Sequence, residues 1–222
     1  MNSRLDLYKE VHKGVRKALF DLAMLAGSTE FNHPESLQRL KDQVNLTYNL
    51  LETHAHSEDT YVEPLLRQCD SEVADKLTTT HSKLENDISQ LKRQLDDFAS
   101  GQADITSQGQ LFYLALTRFI GEYLQHIADE EQILMPLLWK KFDDPTLMEV
   151  TTTIRANIPP PVMKNFLSFM IPAMNHQERT LMLTGIKRAA PPEVFDGVCQ
   201  LSQSVLTVSD WSRLDATVSA GA

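Results

Sequence analysis

The sequence predicts an all-α protein: an antiparallel up-down four-helix bundle followed by a C-terminal extension of several short helices. Three observations carry that expectation. Apolar residues recur every three or four positions through most of the chain, the period of a half-buried helix. Glycine is scarce, at 8 of 222 residues, and no Asn-Gly or Asp-Gly pair sits between alternating runs, which disfavours β-hairpins. The breaks between periodic segments are short and far apart, as the joints of a bundle are.

In the first segment Leu5, Tyr8, Val11, Val15, Leu19, Leu22 and Leu25 keep the helical rhythm until Gly27-Ser28-Thr29 and His33-Pro34 interrupt it. A second helix is expected from about Ser36 to Gln68, with a kink at Pro64, because proline lacks the N–H donor and clashes with the preceding turn. A third runs from about Ser71 to Phe98, followed by a loop at Ser100-Gly101-Gln102. A fourth runs from about Ile105 to Lys141, with an internal Pro136, and ends at Asp143-Asp144-Pro145. This sets a bundle over residues 1–144 and an extension over 145–222 packed on it. Breaks at Ile158-Pro159-Pro160-Pro161 and Pro191-Pro192, with Pro172 between two apolar runs, divide the extension into three or four short helices.

Composition narrows the function. Lys and Arg total 21 against 30 Asp and Glu, a net charge of −9 and a pI near 5.2, so no basic stripe for nucleic acid is expected. No window approaches the ~18 consecutive apolar residues of a membrane span, and the charged N-terminus lacks a signal-peptide core. Cys69 and Cys199 form no CxxC pattern, and the expectation is a reducing, cytoplasmic setting. None of GxGxxG, GxxxxGK[ST], GxSxG or HExxH occurs.

The chemistry lies in an internal repeat. His54-x3-Glu58-Asp59 is followed by Pro64-Leu65-Leu66, and His126-x3-Glu130-Glu131 by Pro136-Leu137-Leu138. Residues i and i+4 share a helix face, so each copy presents an imidazole beside a carboxylate. Each copy also follows a helix bearing another histidine, His12 and His81. Two such helices facing inward, with one histidine from each partner helix, would gather ligands in the bundle core. Imidazole and carboxylate together suit Fe, Mn or Zn. A single His-x3-Glu is common by chance, and surface charge is its bland reading. A duplicated one set among apolar neighbours favours a metal, since burying these groups without one is costly.

In His12, His54-x3-Glu58, His81 and His126-x3-Glu130, taken in that order, the chain resembles the hemerythrin-like (HHE cation-binding) family over roughly residues 5–141. The resemblance implies a four-helix bundle with two non-haem Fe ions, bridged by Glu58 and Glu130 and completed by His12, His54, His81 and His126. It departs from the family's oxygen carriers at Glu85, where they have a second histidine one turn after that of the third helix. Glu85 as a ligand would make the site carboxylate-richer and favour oxygen activation over reversible binding. His176 from the extension, or His33, could instead supply an imidazole. Glu85 together with His176 is preferred, because His33 adjoins Pro34 in a polar break. His176 has helix packing as its alternative role.

His56 lies two residues from His54 and is expected off the ligand face. Asp59 and Glu131 are either solvated charges or partners holding a ligating histidine by its free N–H. Tyr61, Tyr113 and Tyr123 are core aromatics or hydrogen-bond donors to the site. Met163, Met170, Met174 and Met182 are core filling or line a pocket over the metals. The functional expectation is a di-iron protein reacting with O2, peroxide or NO, as oxidase, oxygenase or sensor. The alternatives are an O2- or iron-binding protein without turnover, a Zn- or Mn-dependent hydrolase, and a metal-free helical scaffold.

Overall fold

The computed structural model describes residues 4–98 and 104–220, and the expected loop at Ser100-Gly101-Gln102 lies outside them. No strand occurs among the described residues. The first helix, α1 (Lys9–Gly27), starts where Asp6 Oδ1 accepts the amides of Tyr8 and Lys9, at 2.9 and 3.0 Å. It buries Val15, Ala18, Leu19 and Leu22, the i, i+3/i+4 stripe of its sequence. Helix α2 (Pro34–Ser57) opens on a proline at its first position, where a missing N–H costs nothing.

Beyond Ser57 the chain departs from a simple kinked helix. Glu58–Val62 forms one wide π-helical turn, in which the amide of Glu63 donates to the carbonyl of Glu58, before α3 (Glu63–Cys69). Helix α4 (Ser71–Asp96) is capped by Asp70, whose carboxylate accepts from the amides of Glu72 and Val73. Helix α5 (Ile105–Asp129) ends in the same way as α2, with a π-helical turn at Glu130–Leu134 leading into α6 (Met135–Lys141). Each π turn sits just ahead of its proline. In an α-helix the amides of positions 64 and 136 would bond to the carbonyls of Thr60 and Gln132, and proline has none to give. An extra residue per turn removes the need for that amide. The two hairpins of the bundle therefore share a backbone irregularity as well as a motif.

The extension contains α7 (Asp144–Asn157), α8 (Pro160–Ala173), α9 (His176–Ala189), α10 (Pro192–Val205) and α11 (Val208–Ala220), one more helix than the upper expectation. Pro172 does not divide the chain; it lies inside the last turn of α8. The break falls at Asn175, which with Glu178 forms a reciprocal capping box at the start of α9. Arg179 then donates to the carbonyls of Ile171 and Pro172, at 2.8 and 3.1 Å, covering the open end of α8. Leu167, Ile171, Leu183, Val198, Leu214 and Val218 form an apolar core of the extension's own, and the methionines of α8 and α9 belong to its packing or to that of α1.

Helix α8 lies against α1. Their backbones meet at Gly14, where a Cβ would stand 2.7 Å from Met170 Cγ and 3.2 Å from its Cα. Alanine would improve helix propensity by about 1 kcal/mol, so glycine there reflects close approach. Charge reinforces the contact. The buried Glu178 carboxylate pairs with Lys13 at 2.6 Å and Lys9 at 3.2 Å.

Burial opposes ionisation of Glu178, but pairing with Lys13, the Asn175 amide and Lys9 outweighs it and pulls its pKa from 4.5 down to about 2. A depressed carboxyl pKa stabilises above the unfolded value and loses that effect as pH falls through the folded one. Glu178→Gln keeps a capping acceptor but removes the charge. It is expected to lower Tm at neutral pH by about 2–4 °C, for a loss of about 1 kcal/mol. Thermal melts of the two proteins should converge as pH falls from 4.5 towards about 2. A gap that is constant across that window would contradict the assignment.

Candidate metal centre

Four helices deliver six polar side chains to one point in the bundle. His12 comes from α1, His54 from α2, His81 from α4 and His126 from α5, while Glu58 and Glu130 open the two π turns. All six are buried. Their donor atoms fall into two overlapping groups, each spanning no more than 4.8 Å: His12, His54, Glu58 and Glu130, and Glu58, His81, His126 and Glu130.

The carboxylates are divided between the groups. Glu58 Oε1 lies 3.4 Å from His54 Nε2 and 3.9 Å from His12 Nε2, while its Oε2 lies 3.2 Å from His81 Nε2. Glu130 Oε2 lies 3.3 Å from His12 Nε2, while its Oε1 lies 3.0 Å from His126 Nε2 and 3.4 Å from His81 Nε2. The imidazoles pair edge to face, His12 with His54 and His81 with His126. The closeness is not hydrogen bonding. All four Nε2 atoms, Glu58 Oε2 and both Glu130 oxygens are buried with no aligned hydrogen-bond partner. Donor atoms that converge without bonding one another are what a cation between them requires.

The outer ring nitrogens are fixed crosswise. His81 Nδ1 meets Asp59 Oδ1 at 2.7 Å, and His12 Nδ1 meets Glu131 Oε1 at 3.0 Å. Each acid therefore holds a histidine of the opposite hairpin. A proton on Nδ1 turns the Nε2 lone pair inward, the usual support for a ligating imidazole. Glu131 is itself gripped by both Nη atoms of Arg16, at 2.7 and 2.9 Å.

Charge is concentrated here. Burial disfavours an imidazolium at His81, but pairing with Asp59, Glu130 and Glu58 prevails and pushes its pKa up to about 12. His12 is likewise raised, against burial, by Glu130, Glu131 and Glu58. His54 is lowered, chiefly by burial. Burial opposes the Glu130 carboxylate, yet His12, His126 and His81 hold its pKa well below the ordinary value. Glu131 is pulled down to about 2 by His12 and Arg16 against its own burial. In the metal-free chain ring protons offset the buried carboxylates; a cation would offset them instead and displace those protons.

Two sequence-derived candidates lie elsewhere, which corrects the preferred completion of the site. Glu85 is exposed on α4, one turn beyond His81, and belongs to neither ligand group. His176 starts α9 and faces the extension, with Nε2 3.3 Å from Thr217 Oγ1 on α11. His33 and His56 are exposed. Tyr123 is at the site, with its ring against His126 and its hydroxyl buried and unpartnered. Tyr8, read from the sequence only as a core position, matches it on the other side, against the His12 ring. Burial, then Glu58 and Glu130, raise the Tyr8 pKa well above its ordinary value; burial, then Glu130 and Glu58, do the same for Tyr123. The signal for Tyr8 was present: it lies four residues before His12, on the same face.

The family described as hemerythrin HHE cation-binding domain matches residues 3–138, more than half of the chain. The protein belongs to that family, and its clustered histidines and glutamates make it a metal-binding protein. No curated protein and no solved structure matches it significantly.

Asp59→Asn and Glu131→Gln leave every inward donor in place but remove the acceptor charge behind His81 and His12. Each is expected to weaken metal affinity by about 10–100-fold, read by competition with a chromogenic chelator. Affinities equal to that of the unsubstituted protein would show that these acids do not orient the histidines.

Proposed function

We propose that the chain holds two non-haem irons, one by His12 and His54 and one by His81 and His126, bridged by Glu58 and Glu130, and that it reacts with O2, peroxide or NO. The observation that carries this reading is the division of each carboxylate, one oxygen turned to each histidine pair. Two imidazoles with carboxylate oxygen are the donor set of non-haem Fe(II) oxygenases, and the same donors suit Mn and Zn less distinctively. Membership of the hemerythrin HHE family supports iron.

Iron, when bound, would supply one-electron redox chemistry and a place for a small oxidant. The chain's own residues do the rest. Asp59 and Glu131 hold the His81 and His12 rings in register. Tyr8 and Tyr123 offer unpartnered hydroxyls as hydrogen-bond donors beside the carboxylates. Leu50, Leu51, Ile127 and Val62, the chain neighbours within four residues of the ligands, are themselves buried. Because Glu85 contributes no donor to the cluster, the His81 side is less saturated than in the family's oxygen carriers. That favours turnover over reversible carriage.

Elemental analysis of protein expressed with added iron, and purified without chelators, tests this. About two irons per chain are expected, with Glu58→Ala and Glu130→Ala each losing most of the metal and His56→Ala retaining it. Equal losses in all three, or zinc as the metal retained from iron-supplemented cells, would overturn the assignment. The reduced protein should consume O2 or peroxide with a change in its visible absorption; a reduced iron-loaded protein inert to both would leave iron binding without turnover as the correct reading.

A further inference from the structure

A cavity of about 440 Å³ opens beside the His81 half of the centre. Its floor is buried and mostly apolar, with Leu51, Leu84, Ile88 and Tyr123, and it reaches His81 itself. Tyr123 joins this floor to the centre, since its ring also packs against His126. The outer wall comes from the end of α7 and the start of α8, through Ile154, Asn157, Ile158, Pro159 and Val162. These residues lie beyond the segment that matches the family, so the cavity is a feature of this chain's extension.

The charge of the lining is one-sided. Glu52, Asp59 and Glu85 line the cavity, and no Lys or Arg does so among the described residues; of the two lining histidines, His56 is exposed and His81 is paired with Asp59 at 2.7 Å, so Glu52 and Glu85 carry the acidic charge left over. Glu52 and Glu85 are exposed, which places them at the mouth, while Asp59 is half-buried behind His81. An anionic molecule would meet like charge in a partly dry setting, whereas a cation would be attracted. An apolar body would gain by leaving water against the floor.

We infer that this cavity is a binding site for a small organic amine, its apolar end against Leu84, Ile88 and Tyr123 and its cationic head at the mouth between Glu52 and Glu85. The ligand class rests on the cavity alone; that its inner end faces a metal rests on the reading above. The cavity has room for a ligand well beyond a diatomic. Glu85 thereby has a role outside the cluster, as part of the charge that selects the head group.

The test is calorimetric titration of the full chain, iron-loaded and metal-free, with phenethylamine, phenethyl alcohol and phenylacetate. Phenethylamine is expected to bind at least about tenfold more tightly than phenylacetate, with the alcohol between them. Glu85→Lys, on an exposed position, should invert that order. Asn157→Trp, at the rim, should reduce amine binding by about tenfold or more by filling the mouth. Both variants should keep the metal content of the unsubstituted chain. In the iron-loaded protein, amine binding should also shift the iron absorption bands. Phenylacetate binding as tightly as the amine, no binding of any of the three, or indifference to both substitutions would overturn the proposal. Amine binding by a chain that takes up no iron would leave the cavity assigned and overturn the metal reading instead; iron uptake without amine binding would do the reverse.

Discussion

Glu58 and Glu130 sit buried where α1, α2, α4 and α5 meet, and their two negative charges constrain everything around them. An uncompensated buried carboxylate costs several kcal/mol after relaxation. Compensation therefore has to come from each helix, and each supplies one histidine. The histidines in turn need their outer nitrogens satisfied, and Asp59 and Glu131 do this for His81 and His12 across the hairpin boundary. Arg16 then balances Glu131. The result is a chain of charge pairing that runs from the centre to the surface and ties the two hairpins together through polar groups.

The backbone is shaped by the same requirement. Both carboxylates stand at the first position of a π-helical turn, and each such turn ends two residues before a proline. The turn lets the helix continue past the missing amide, so α3 and α6 can still bury Leu66, Met135 and Leu138 beyond the site. The extension acts from outside. Gly14 admits α8 close to α1, Glu178 fixes the start of α9 to Lys13, and the junction of α7 and α8 walls the cavity beside His81.

Much of this was legible in the sequence because it depends on local spacing. His-x3-Glu is a statement about one helix face, and its duplication identifies two equivalent helices. The residues brought together at the centre were therefore recoverable before any coordinates. What escaped depends on packing between distant segments. Pro64 and Pro136 announced an irregularity, but not that it would be a widened turn. Glu85 keeps helical register with His81, yet is exposed and joins neither ligand group. His176 stands in an amphipathic helix, and only the placement of α11 shows that its partner is Thr217. Tyr8 looked like any apolar-face aromatic; its unpartnered hydroxyl beside the centre becomes visible only when α1 meets the other three helices.

The central claim is that two cations share Glu58 and Glu130. X-ray absorption at the iron edge of the iron-loaded protein tests it most directly, because it reads the neighbours of each metal. The account predicts imidazole nitrogen and carboxylate oxygen in the first shell, and a metal–metal vector of about 3.5–4 Å. Isolated irons without that vector, or a first shell lacking imidazole, would contradict it.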